Sequence, residues 1–184
     1  MSARAAVFLD RDGVLNRAIL RDGKPYPPRR PEEVELLPGV RQACCELAGA
    51  GFALVMVTNQ PDVARGTTPR EWVDQVNLRL KQELGLDLVK VCPHDDPDGC
   101  QCRKPAPGLL LEAAAELGLD LSRSFMAGDR WRDVEAGKRA GCSSVWIRSD
   151  YAERSGADAD FTAEGLLEAA SWILAIRKNN DRGN

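Results

Sequence analysis

The sequence predicts an α/β fold, a parallel sheet covered by helices on both faces, and three observations carry that expectation. Short unbroken apolar runs alternate with longer segments of helical spacing, glycines close most of the helical segments, and 184 residues suffice for one domain with a sizeable core. A strand buried on both faces reads as a continuous apolar run, and parallel neighbours need helical crossovers between them. The single domain is expected over 1–184, with its core at about 5–176 and a frayed tail over 177–184.

The first strand is expected over 5–9, closed by Asp10. A polar, proline-rich excursion occupies 16–38. Residues 40–50 have helical spacing and stop at Gly51, and 52–57 form a second buried strand. Thr68 and Pro69 open a helix whose apolar face is Trp72, Val73, Val76, Leu80 and Leu84, with Pro69 suited to its first turn. A third strand over 86–91 runs into a cysteine-rich loop. A helix over 107–117 then ends at Gly118, a fourth strand covers 124–127, a helix over 131–140 ends at Gly141, and a fifth strand covers 143–147. A last amphipathic helix is expected over 166–176.

Composition narrows the function. Lys and Arg number 25 against 28 acidic residues, a formal net charge of −3, which offers no broad footprint for nucleic acid or an anionic membrane surface. The longest apolar stretch, 52–57, is far short of a membrane span, and the N-terminus lacks a secretory pattern, so a cytoplasmic protein is expected; a monomer is expected as well. Of the six cysteines, Cys44, Cys45 and Cys142 lie in small-residue segments and read as buried packing residues. The other three crowd beside the only histidine.

Ligands of parallel sheets bind beyond the carboxyl ends of the strands. There the sequence places Asp10-Arg11-Asp12-Gly13-Val14, then Thr58-Asn59, then Gly128-Asp129-Arg130 with Asp133 one helical turn on. Any single Asp there could be a helix cap or turn former. Several carboxylates gathered at one sheet edge repel, and an oxygen-liganded divalent cation such as magnesium relieves that repulsion. Asp133 is the weakest member, because one turn into a helix it also suits the dipole.

Cys92, His94, Cys100 and Cys102 set four soft or borderline ligands within eleven residues, the complement of a closed tetrahedral zinc site whose task would be to fold the loop. A redox-active Cys100–Cys102 pair is the other reading, and it leaves His94 without a role.

Asp10-x-Asp12-Gly13-Val14, Thr58, Lys104 and Gly128-Asp129-x-x-x-Asp133 resemble, in order, the four motifs of the haloacid dehalogenase-like phosphohydrolases over about residues 5–150. The resemblance implies a three-layer Rossmann-like parallel sheet and hydrolysis through an aspartyl-phosphate. It implies Asp10 as nucleophile, Asp12 as the acid and then the base, and Thr58 and Lys104 as partners of the transferring phosphoryl group. Magnesium would be held by the Asp10 carboxylate, the Asp12 backbone carbonyl and Asp129. The Cys-x-His, Cys-x-Cys-Arg-Lys-Pro arrangement is similar to a zinc-containing subgroup without a large cap domain, the D-glycero-D-manno-heptose 1,7-bisphosphate 7-phosphatases and histidinol-phosphate phosphatases. Val63-Ala64-Arg65-Gly66 leans toward the heptose enzymes, so the expected substrate is a small phosphorylated sugar. Asn16, Ile19, Asn59, Gln60, Arg65, Arg103 and Arg130 are the expected substrate-binding residues, the three arginines serving a second phosphate. A noncatalytic zinc module and a transferase acting on an alcohol acceptor are the readings from other classes.

Overall fold

The computed structural model of the chain describes residues 3–21, 24–149 and 158–182. In chain order the elements are β1 (Ala6–Leu9), β2 (Ile19–Arg21), β3 (Lys24–Tyr26), α1 (Val40–Gly49), β4 (Ala53–Asn59), α2 (Arg70–Leu84) and β5 (Leu88–Cys92). They continue with α3 (Gly108–Leu117), β6 (Phe125–Gly128), α4 (Trp131–Ala140), β7 (Ser143–Ile147), β8 (Phe161–Ala163) and α5 (Leu166–Arg182). Among the described residues the main sheet has the order β5-β4-β1-β6-β7-β8, with every neighbouring pair parallel.

Alternation along the strands divides the core into two layers. Val7, Leu9, Leu54 and Met56 face one side with α1, α2 and α5, whereas Ala6, Phe8, Val55 and Val57 face the other with α3 and α4. Removing one such Leu or Phe side chain from water contributes roughly 1.5–3 kcal/mol, so these fully buried central strands form a rigid floor. The chain leaves β1 toward β4 and β5, then returns to β6 on the other side of β1. Loops after β1 and β6 therefore diverge, opening a crevice at this switch point. Asp10 sits at its base, its backbone N–H donating to the Ala127 carbonyl at 3.0 Å.

Several expectations need correction. The last helix continues beyond 176 to Arg182, because no Gly or Pro interrupts the polar segment before Gly183. Pro69 is the residue preceding α2 instead of lying in its first turn. Cys45 is exposed although Cys44 and Cys142 are buried: consecutive helical positions diverge, and only one of the pair can face the core. Two features went unforeseen, the sixth strand β8 and the antiparallel β2–β3 ribbon within the proline-rich excursion. β8 is three residues long, too short to show a period, and is held by Phe161 stacking on Trp172 at 5.0 Å.

Candidate active site

Asp10 follows β1, Asp129 follows β6, and Asp133 lies in the first turn of α4. Candidate ligand oxygens of the three lie within 4.8 Å of one another, and all three residues are buried. Gly128 makes this possible: a Cβ there would come within 2.1 Å of the Asp133 Cβ. Lys104, itself buried, reaches into the cluster, its Nζ 2.7 Å from Asp10 Oδ1, 2.6 Å from Asp133 Oδ1 and 2.8 Å from the Val57 carbonyl. Asp133 Oδ2 accepts the Arg130 backbone N–H at 3.0 Å.

Electrostatics follow from this crowding. Burial pushes the Asp10 carboxyl up to about 6; Lys104 opposes that rise, and Asp133 and Asp12 add to it. Burial, followed by the charges of Asp10 and Asp133, raises Asp129 well above the ordinary carboxylate range. Burial works to lower the Lys104 ammonium, but Asp10 and Asp133 outweigh it and the net movement is upward. Both carboxylate oxygens of Asp129 are buried without a hydrogen-bond partner. An orphaned anion beside a second carboxylate is the donor set that a hard divalent cation satisfies. The Trp146 indole N–H orients this segment by donating to the Asp129 carbonyl at 3.2 Å.

Asp12 stands on the open side of the cluster. Its Oδ1 accepts from Asn16 Nδ2 at 3.0 Å and its Oδ2 from Gln60 Nε2 at 2.9 Å. The same Gln60 nitrogen donates to Thr58 Oγ1 at 2.9 Å, tying the carboxylate to the end of β4. Asn59 clamps the backbone of Lys104, donating to its carbonyl and accepting its N–H, each at 3.1 Å.

The loop carrying Lys104 is organised by Cys92, His94, Cys100 and Cys102. Sulfur and Nδ1 atoms of the four lie 3.2–3.7 Å apart in five contacts, close to the edges of a tetrahedron around one ion. Cys100 and Cys102 are 3.4 Å apart and unbonded. Asp95 and Asp98 cap the turn between the two ligand pairs, and Gly108 permits close approach of α3, since a Cβ there would meet the Gln101 carbonyl at 2.2 Å.

A family model described as HAD-hydrolase-like matches residues 101–169. The D-glycero-beta-D-manno-heptose-1,7-bisphosphate 7-phosphatase of Yersinia pestis is 38% identical, the match covering 92% of this chain and 89% of that protein. Its Escherichia coli (strain K12) counterpart is 35% identical over 92% of this chain and 87% of its own length. The chain belongs to the HAD-like phosphatases. Among solved structures, the D,D-heptose 1,7-bisphosphate phosphatase from B. bronchiseptica complexed with magnesium and phosphate superposes with a TM-score of 0.78 at 28% identity. That likeness covers 93% of this chain and 98% of the other.

The phosphatase opens on a cavity of about 350 Å³ that has Asp10, Asp12, Thr58 and Lys104 at its base. Arg65, Arg103 and Arg130 line it, and each also has partners within the protein. Asp95 accepts both Nε and Nη2 of Arg65, at 2.6 and 2.8 Å, and Asp96 accepts Arg103 Nε at 2.6 Å and Arg132 Nη1 at 3.0 Å. Asn59 and Gln60 also line the cavity, yet their side chains are engaged on Lys104, Asp12 and Thr58. Asn16 and Ile19 are absent from the wall: Asn16 is fully buried behind Asp12, and across the ribbon from Ile19 it is Tyr26, flanked by Pro25 and Pro27, that faces the cavity. Sequence reasoning missed these three residues, Arg132 and Asp96. An Asp-Gly pair at 22–23 between short apolar segments was the available signal for the ribbon.

Proposed function

We propose that this phosphatase removes the 7-phosphate of D-glycero-D-manno-heptose 1,7-bisphosphate with magnesium, through an aspartyl-phosphate on Asp10. The observation that carries the reading is the pairing of Asp10 with Lys104 at 2.7 Å beside a tethered Asp12, at the base of an arginine-lined cavity. The substrate follows from the names of the relatives, 33–39% identical over most of the chain.

Asp10 attacks phosphorus as the bond to the sugar oxygen breaks, and Asp12 gives that oxygen its proton. Asp12 then takes a proton from water, which attacks the phosphorus of the acyl phosphate and releases inorganic phosphate and free Asp10. Lys104 and Thr58 neutralise and orient the phosphoryl oxygens. Asp10, Asp129 and the Asp12 carbonyl would hold magnesium, which offsets the repulsion between a carboxylate nucleophile and a phosphate dianion. The partnerless oxygens of Asp129 fit that assignment. Asp133 anchors Lys104 from behind.

Cys92, His94, Cys100 and Cys102 are assigned to a structural zinc ion: with all four positions filled by protein, no vacancy remains for water. The test is a panel of sugar mono- and bisphosphates and histidinol phosphate, assayed for phosphate release with and without magnesium. Magnesium-dependent preference for the heptose bisphosphate is expected; faster hydrolysis of histidinol phosphate would overturn the substrate assignment.

A further inference from the structure

Arg11 is the largest fully buried side chain among the described residues. A guanidinium withdrawn from water is costly unless its donors are matched, and replacing a whole buried ion pair by apolar residues is often neutral for stability. Its place in this core therefore calls for a role beyond packing. Arg11 does not line the active-site cavity. Its Nε and Nη2 fork onto the Asp12 carboxylate, Nη2 at 2.9 Å from Oδ2 and Nε at 3.1 and 3.2 Å from the two oxygens. Its Nη1 reaches the other way and donates at 2.8 Å to Oδ1 of Asn77, a buried residue of α2.

This arrangement fixes a direction. Asn16 and Gln60 each donate once to Asp12, from the loop after β1 and the end of β4, and Arg11 adds a charged donor. A planar fork on a carboxylate restrains rotation of its plane, which single donors do not. The Asn77 bond carries that restraint to a helix, so Asp12 is set by the packed body of the protein instead of by its own turn. Proton transfer needs the carboxyl group within hydrogen-bond reach and correctly oriented toward the leaving oxygen, and small misplacements are expensive in rate.

We infer that Arg11 is a positioning residue that, anchored by Asn77, aims the Asp12 carboxyl group at the leaving oxygen. The inference rests on the proposed role of Asp12 in protonating that oxygen. It makes a specific claim: loss of Arg11 harms the cleavage of esters whose leaving oxygen needs a proton and spares those that do not.

The experiment measures single-turnover release of the leaving group from 4-nitrophenyl phosphate and from a primary sugar phosphate, at saturating substrate and magnesium. It compares wild type, Asp12→Asn, Arg11→Gln, Arg11→Lys and Asn77→Leu. Arg11→Gln is expected to slow sugar release by about ten- to a hundredfold and nitrophenol release by less than about threefold. Arg11→Lys, with charge but no fork, should recover only part of that loss, and Asn77→Leu, remote from the substrate, should show the same selectivity at smaller size. Should Arg11→Gln not fold, Asn77→Leu and Arg11→Lys decide the matter alone. Equal slowing of both substrates, or none, in the folded variants would overturn the positioning role while Asp12→Asn remains selective. If Asp12→Asn itself slows both substrates equally, the proton role of Asp12 fails first.

Discussion

Replacing Asp133 by alanine removes one of the two carboxylates that hold the buried Lys104 ammonium, 2.6 Å from its Nζ, and deprives the Arg130 backbone N–H of its acceptor. Both side chains are 2% exposed, so water cannot substitute at once. Breaking a buried pair by deleting one partner costs about 3–5 kcal/mol, which for a chain of this length is a fall in Tm of about 6–20 °C. Asp133→Asn keeps the shape and an acceptor for Arg130 while losing the charge, so about half that loss is expected. Turnover should also fall by about tenfold or more, because Lys104 is left to Asp10 and the Val57 carbonyl. Gly128→Ala should reproduce the defect without touching any charge, since its Cβ would drive Asp133 from its place. Thermal unfolding without magnesium and initial rates with it provide the readout. A folded Asp133→Ala protein within about 1 kcal/mol of wild type and with unchanged kcat would refute the anchoring of Lys104.

Further outcomes are expected. Stripping metal with a strong chelator, or Cys92→Ser, should lower Tm and reduce kcat through loosening of the Lys104 loop, and elemental analysis of reduced protein should find one zinc per chain; its absence would remove the zinc assignment. Magnesium should stabilise the protein more at neutral pH than near pH 4.5. The Asp10 carboxyl rises from 3.8 to about 6, so between those values the folded metal-free state keeps protons the unfolded state has released, and its stability falls as pH rises through that window. A magnesium-induced gain in Tm that is equal at both pH values would contradict this. Arg103→Ala should diminish the preference for a bisphosphate over the matching monophosphate by about one to two decades in kcat/KM, and an unchanged ratio would take Arg103 out of second-phosphate recognition.

Legibility in the sequence followed how local each signal is. Buried strands such as 52–57 declare themselves by composition, and the carboxylates at strand ends follow once a parallel sheet is accepted, because such a sheet gathers its loops at one edge. What escaped was the direction of side chains. Asp133 read equally well as a helix-dipole residue, and only the packing of α4 against Gly128 turns it onto Lys104. Asn16, Asn59 and Gln60 carry polar groups suited to a substrate, but their partners lie 4, 45 and 48 residues away and no local pattern announces such pairings. Nothing in the local sequence marks Arg11 as buried; its burial arises from α2 closing over the β1 loop.

The most direct test of the chemistry is reductive trapping of the acyl phosphate. Protein quenched in acid during turnover is treated with borohydride, which converts an aspartyl-phosphate to homoserine, and its peptides are read by mass spectrometry. Homoserine at position 10, present only when substrate was supplied and enriched in Asp12→Asn, is the expected result. Phosphate release with an unmodified Asp10, or with the reduced residue at another position, would contradict covalent catalysis by Asp10.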